Sequence, residues 1–178
     1  AFMAKKSICM TLPRLEDPAL LCGYGRFIDD LDGPRQLHLW IVRSPHAHAR
    51  IVDIDSTAAL ATPGVVAVFS AADLAADGDP VIPGGFGLKN HDGTPARLPA
   101  RPLLAGERVR HVGDAVAMVV AHSREAARDG AECVQVNYQE LPAVVDAAAA
   151  LLDGAPQLFD EVPHNEGLHW YGGDRNAV

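Results

Sequence analysis

The pattern from Leu37 to Arg43 gives the first convincing strand. Leu37, Leu39 and Ile41 fall on one side and His38, Trp40 and Val42 on the other, which predicts a strand with apolar character on both faces. Ala49 to Ile54 reads as a second strand. Val65 to Phe69 is a continuous apolar, β-branched run, the mark of a buried strand. Val109 to Val112 and Ala115 to Val120 read as strands broken by Gly113-Asp114. Val134 to Tyr138 follows, with two further short strands at Leu141 to Val145 and Leu168 to Tyr171. Helix signals lie between them. Asp17 is placed as an N-cap with Pro18 at the first helical position. Ser56 caps a helix from Thr57 to Ala61 that Pro63-Gly64 ends, and Ala71 to Leu74 makes a single turn. Ser123 caps a helix from Arg124 to Cys133, whose Ala126, Ala127, Gly130, Ala131 and Val134 form one small-residue stripe. Asp146 caps a last helix running to Leu152. Two strand–helix–strand units, 49–69 and 115–138, with the other strands joined by short turns, predict an α+β fold with a mixed sheet. Residues 1–13 have no period and read as an arm. Asp29 to Pro34 is a polar turn. Residues 75–99, with five glycines and four prolines, form a long loop, and long ordered loops are usually functional.

Composition narrows this picture. At 178 residues with 48% hydrophobic positions the chain suits one domain, and with only 6% aromatics its core is built from Val, Leu, Ile and Ala. The net charge of -8 and the scattered Lys and Arg argue against nucleic acid and anionic membrane as partners. No apolar run approaches the roughly 20 residues that span a bilayer. The stretch after Lys5-Lys6 ends at Pro13, a poor signal peptide. Cys9, Cys22 and Cys133 are few and widely spaced, which points to a reducing, cytoplasmic setting without a disulfide framework or zinc site.

Candidate chemistry is sparse. His46-x-His48 offers two ligands on one strand face but lacks a third at a supportive spacing, so it reads as a polar turn after Pro45. The Asp29–Gly33 cluster fails as a calcium loop, because Leu39 would stand where the bidentate Glu is required. Gly23-Tyr24-Gly25 and Gly84-Gly85-Phe86-Gly87 do not follow a strand and open a helix as a pyrophosphate cradle must. Ser44 with His46, or Ser123 with His122, are sequence neighbours rather than a nucleophile facing its base. Cys22 and Cys133 read as packed small hydrophobes. Glu107, Asp114, Glu132 and Glu140 show no readable acid–base pairing. These residues alone lean toward an interaction module.

The order of segments changes the balance. Arg14-Leu15-Glu16-Asp17-Pro18 with Leu20-Leu21 precedes Gly23-Tyr24-Gly25-Arg26-Phe27-Ile28-Asp29-Asp30. Leu37-His38 leads to Val42-Arg43-Ser44-Pro45-His46-Ala47-His48-Ala49-Arg50-Ile51, with Asp55 after it. Pro63-Gly64-Val65, Ala72-Asp73-Leu74, Val112-Gly113 with Val116-Ala117, and Val119-Val120-Ala121 follow in register. Val134 to Tyr138 and Leu141 to Asp146 complete the run, with Asn165, Trp170 and Gly173-Asp174 at the exit. In this order the chain resembles the start of molybdenum hydroxylase large subunits, the xanthine dehydrogenase, aldehyde oxidase and carbon monoxide dehydrogenase family.

The resemblance implies an α/β hammerhead domain over 14–174, an arm at 1–13, and at 175–178 the start of a connection to a molybdopterin-binding domain. It implies about 550 or more further residues that carry the molybdenum cofactor and the catalytic glutamate. Iron–sulfur clusters and FAD would sit on partner subunits or domains, and the parent reaction would hydroxylate a carbon beside nitrogen or oxygen. No catalytic, cofactor-binding or metal residue carries over to this stretch, so none is expected in it and it is expected to be inactive alone. Two departures stand out. Asp114-Ala115 replaces a frequent Gln-Pro, and Gly84 to Gly87 looks like a pterin-contacting motif that the family carries far downstream, a coincidence here. The domain's expected work is packing on the cofactor domains and walling the substrate entrance, with Phe86, Leu88 and Lys89 of the long loop as contributors. Apolar faces left bare in the isolated piece imply self-association. The competing reading is a stand-alone, non-catalytic interaction module of the same fold.

Overall fold

The computed structural model describes residues 14–78, 81–84 and 87–173. The predicted arm at 1–13, Cys9, Phe86 and the connection at 175–178 lie outside them. The chain divides into two compact units, Ala1–Gln36 and Leu37–Val178.

In the first unit α1 spans Asp17–Leu21 with Pro18 in its first turn, where a missing N–H costs nothing. Glu16, not Asp17, is the N-cap residue, and Asp17 from inside the first turn accepts the Arg14 amide at 3.2 Å. Cys22 is exposed rather than packed, because the helix ends one residue before it with no buried side chain of its own. A single 3-10 turn, Ile28–Asp30, begins the predicted polar turn, and Asp30 accepts the Phe27 amide at 2.9 Å.

The second unit carries the strands β1 (His38–Arg43), β2 (Ala49–Asp55), β3 (Val65–Ser70), β4 (Val81–Ile82), β5 (Arg101–Pro102), β6 (Arg108–Val109), β7 (Ala115–Ala121) and β8 (Gln135–Glu140). Its helices are α2 (Thr57–Ala61), α3 (Ala71–Ala76), α4 (Arg124–Glu132) and α5 (Ala147–Ala150), with a 3-10 turn at Pro163–Asn165. One sheet has the order β1-β7-β3 and a second β6-β2-β8, while β4 and β5 pair separately. The α+β architecture and both strand–helix–strand units are present. Every ladder among the described residues is antiparallel, however, so the sheets differ in detail from the expected mixed one. Each strand–helix–strand unit carries the chain from one sheet to the other. The connection 56–64 is too short for a crossover between parallel neighbours, which takes about a dozen residues or more.

β7 is the centre of the packing. Its Ala117, Val119 and Ala121 are buried on the face that α4 covers, and α4 itself buries Ala127, Gly130 and Ala131 there. The predicted Ser123 cap forms, its Oγ accepting the Ala126 amide at 3.1 Å. On the opposite face Val116 joins Ala49, Ala105 and Val109 in a core between the two sheets, closed by Ile51, Ile54, Val136 and Tyr138.

Several local readings are corrected. Ser56 precedes α2 without a side-chain cap; Asp55 accepts the Thr57 amide at 2.9 Å instead, because the carboxylate reaches one residue further. α3 runs two residues past the expected single turn, supported by Asp73, which accepts the Ser70 amide and hydroxyl, each at 2.7 Å. The strand expected at 109–112 shrinks to β6, since Asp114 accepts the Arg110 amide at 3.0 Å and folds the segment into a turn with Gly113 at φ +88. Leu141 to Val145 and Leu168 to Tyr171 are irregular; their backbone groups bond to a turn and to the long loop rather than to a ladder. The Asp146 cap holds, accepting the Ala149 amide at 2.7 Å.

A Cβ on Gly130 would stand 2.6 Å from Val65 Cγ2 and 3.1 Å from Val119 Cγ1, both on stiff β-branched side chains. Gly130→Ala therefore destabilises the domain by about 1–2 kcal/mol in urea unfolding, despite a helix-propensity gain of about 1 kcal/mol.

Candidate functional site

Two places gather polar chemistry. The first is the turn between β1 and β2. Ser44 is buried; its Oγ accepts the His46 amide at 3.0 Å and donates to the His46 carbonyl at 3.3 Å. The Ser44 hydroxyl thus serves the turn, not an imidazole, and no nucleophile–base pair forms. His48 is only 7% exposed, and its Nδ1 lies 2.7 Å from the Pro142 carbonyl. A carbonyl can only accept, so Nδ1 carries the proton and Nε2 is left buried without a partner among the described residues. His46 instead sits half-buried, 3.5 Å from Glu140 and tilted on Tyr138 at 4.8 Å between ring centroids. The two histidines therefore serve different neighbours. Among the described residues no group of three or more His, Cys, Asp or Glu converges to hold a metal ion. Burial, above the opposing effect of the Ser44 hydroxyl, raises the Tyr138 phenol above its usual 10.0. Asp114, the departure from Gln-Pro, has a visible role: its carbonyl accepts the Ser44 amide at 2.9 Å while its carboxylate holds the Arg110 turn.

The second place is the long loop. Its described residues are held in turns and pairings rather than forming a featureless connection. Gly84 lies so close to the Leu98–Pro99 backbone that a Cβ would overlap the Leu98 carbonyl and stand 2.6 Å from that of Pro99. β4 and β5 close the base below this contact. At the tip Lys89 and Pro95 form an antiparallel bridge, and the Ala96 amide donates to the Leu88 carbonyl at 3.0 Å. Asp92 turns the chain, accepting both the amide (2.9 Å) and the hydroxyl (2.6 Å) of Thr94. Those two bonds, the hydroxyl's first, hold its carboxyl below the usual 3.8.

A segment from far along the chain lies against this loop. The His91 amide donates to the His169 carbonyl at 2.9 Å, and the Arg97 amide to the Gly167 carbonyl at 2.8 Å. The rings of His91 and Tyr171 meet at 3.7 Å. Between the two segments is an open pocket of about 390 Å³, lined by Asn90, His91, Asp92, Thr94, Arg97, Glu166 and His169. Glu166 holds His169 Nδ1 at 2.8 Å. Of the predicted wall residues, Leu88 and Lys89 are exposed on this loop beside the pocket, and Phe86 lies outside the described residues. Asn90, Arg97, Glu166 and His169 escaped the sequence reading. The Asn-x-Asp-Gly turn signal at 90–93 was the only available hint, and nothing in the chain tied it to residues 166–169.

The donor set does not suit a phosphate-bearing pterin. Two carboxylates, Asp92 and Glu166, face the same pocket as the single guanidinium of Arg97, so an anionic group would meet net repulsion.

Residues 22–142 match the family model described as aldehyde oxidase and xanthine dehydrogenase, a/b hammerhead domain. The nicotine 6-hydroxylase large subunit of Paenarthrobacter nicotinovorans is 38% identical over 88% of this chain and 18% of its own. The carbon monoxide dehydrogenase large chain of Hydrogenophaga pseudoflava is 37% identical over 92% of this chain and 20% of its own. The crystal structure of the Cu,Mo-CO dehydrogenase, in its carbon monoxide reduced state, superposes with a TM-score of 0.72 at 37% identity, covering 85% of this chain and 18% of that one. The chain belongs to the aldehyde oxidase and xanthine dehydrogenase hammerhead family. It spans about a fifth of the length of the curated relatives it matches.

Gly84→Ala breaks the backbone contact at the loop base, and hydrogen exchange at the Ala96 and Arg97 amides should quicken about tenfold or more. Acid acts on the tip. The depressed Asp92 carboxyl supports the turn fully above 3.8 and loses that support as pH falls through its lower folded value, so protection of the Thr94 amide declines below pH 3.8.

Proposed function

We propose that this chain is the hammerhead part of a molybdopterin-binding large subunit, in an oxidoreductase of the xanthine dehydrogenase, aldehyde oxidase and carbon monoxide dehydrogenase type. The domain runs over 14–174, with 1–13 as an arm and 175–178 leading toward the cofactor-binding domain. The molybdenum cofactor elsewhere in the parent enzyme supplies the oxidation, and electrons leave through iron–sulfur clusters and FAD on partner subunits. This stretch packs against the cofactor domains and walls the substrate entrance with the loop that carries Phe86, Leu88 and Lys89. The sparse cysteines support a cytoplasmic setting. No helix among the described residues is long and apolar enough to cross a membrane.

One observation carries the packing role. On the β1-β7-β3 sheet, Leu39, Val120 and Ala67 stand opposite one another, and so do Ile41, Met118 and Phe69. All six share the face away from α4. Leu39 is 51% exposed and the other five are only half-buried. Six contiguous apolar side chains without a charge among them are the surface expected of a part that rests on another domain. The pairing within residues 87–99, with the pocket beside it and its tie to residues 166–171, supports the wall.

Residues 1–178 made alone should hold no molybdenum and oxidise no aldehyde, purine or carbon monoxide; turnover with stoichiometric metal overturns this division of labour. The same material should self-associate at high concentration, and Leu39→Lys should shift it toward monomer in light scattering. A coding frame that stops after Val178 would favour the stand-alone module.

A further inference from the structure

We infer that Asn90 is the positioning residue of the entrance wall: its side-chain amide joins the loop to the Gly167–His169 segment and sets where the loop stands. The inference rests on the reading of that loop as the wall.

Asn90 uses both ends of its amide. Nδ2 donates to the Thr94 hydroxyl at 2.9 Å and to the Pro95 carbonyl at 3.2 Å, while Oδ1 accepts the His169 amide at 2.9 Å. Its backbone closes the same turn: the Asn90 amide donates to the Thr94 carbonyl at 2.8 Å and the Gly93 amide to the Asn90 carbonyl at 3.0 Å. One side chain therefore fixes the shape of the tip with its nitrogen and the tip's place with its oxygen. Two further cross-segment hydrogen bonds, at the His91 and Arg97 amides, run between backbones. Only an amide of this length offers donors on one side and an acceptor on the other. Leucine, alanine or serine at this position leaves the His169 amide or the Pro95 carbonyl without its partner. Gly167 adds a steric condition, because a Cβ there would meet Leu98 Cδ2 at 3.1 Å and the Arg97 carbonyl at 3.2 Å. Any side chain there would press on the loop and need its neighbours to give by a few tenths of an ångström.

The test compares Asn90→Ala with Asn90→Asp in the complete holoenzyme that carries this domain. Asp keeps the acceptor for His169 and loses both donors; Ala loses everything. Hydrogen exchange should rise about tenfold or more at the His91, Arg97 and His169 amides in Asn90→Ala. In Asn90→Asp the His169 amide should stay protected while Ala96 opens, a split that general loss of stability would not produce. Equal exchange at all these amides in the wild type and both variants overturns the inference, as does uniform opening in both variants. Steady-state kinetics with benzaldehyde and quinoline as oxidisable probes separates the two readings. A changed KM at unchanged kcat supports positioning at the entrance. Opened amides with both constants unchanged keep Asn90 as the clasp and overturn the loop as wall.

Discussion

β7 has to be covered on both sides at once, and the rest of the second unit is arranged to do it. Ala117, Val119 and Ala121 need a helix pressed close, which is why α4 meets them with Ala127, Gly130 and Ala131 rather than with larger residues. Val116 on the other face needs a second sheet, which β2, β6 and β8 supply through Ala49, Val109 and Val136. A polar side chain at any of these β7 positions would be buried without a partner. Small residues and short distances replace aromatic bulk in this core, so its stability depends on close approach more than on the size of any one side chain.

The cover is incomplete, and that incompleteness links structure to role. The second sheet shields β7 at Val116 but leaves Met118 and Val120 with Leu39, Ile41, Ala67 and Phe69 on an apolar surface that is only half-covered. The same physics that seals one end of the sheet leaves the other suited to a further layer. The curated relatives it matches are about five times as long as this chain, in keeping with the packing role proposed above.

The loop obeys a different constraint. None of its described residues is buried, so hydrophobic burial does not hold them. Hydrogen bonds and glycine contacts do: Gly84 at the base, Asp92 and Thr94 at the tip, and Asn90 reaching to His169 across the pocket. Such an assembly is positioned more by geometry than by burial, and it offers a polar surface beside Leu88 and Lys89.

The periodicity of residues 38–43, 115–121 and 124–132, with their caps, was enough to place β1, β7 and α4 and to predict an α+β fold, because period and capping are local properties of the chain. The ordered motifs from Arg14 to Asp146 were enough for the family. Partner choice was not local. Alternation says that a strand has two faces but not which strand lies beside it, so the division into two antiparallel sheets came from tertiary structure. So did the fate of His46 and His48, two residues apart in sequence yet sent to Tyr138 and to Pro142 by the bend after Ser44. The pocket was the least legible part, since Asn90 and His169 are joined only because the chain returns across the loop, and no pattern in either segment foretells that meeting.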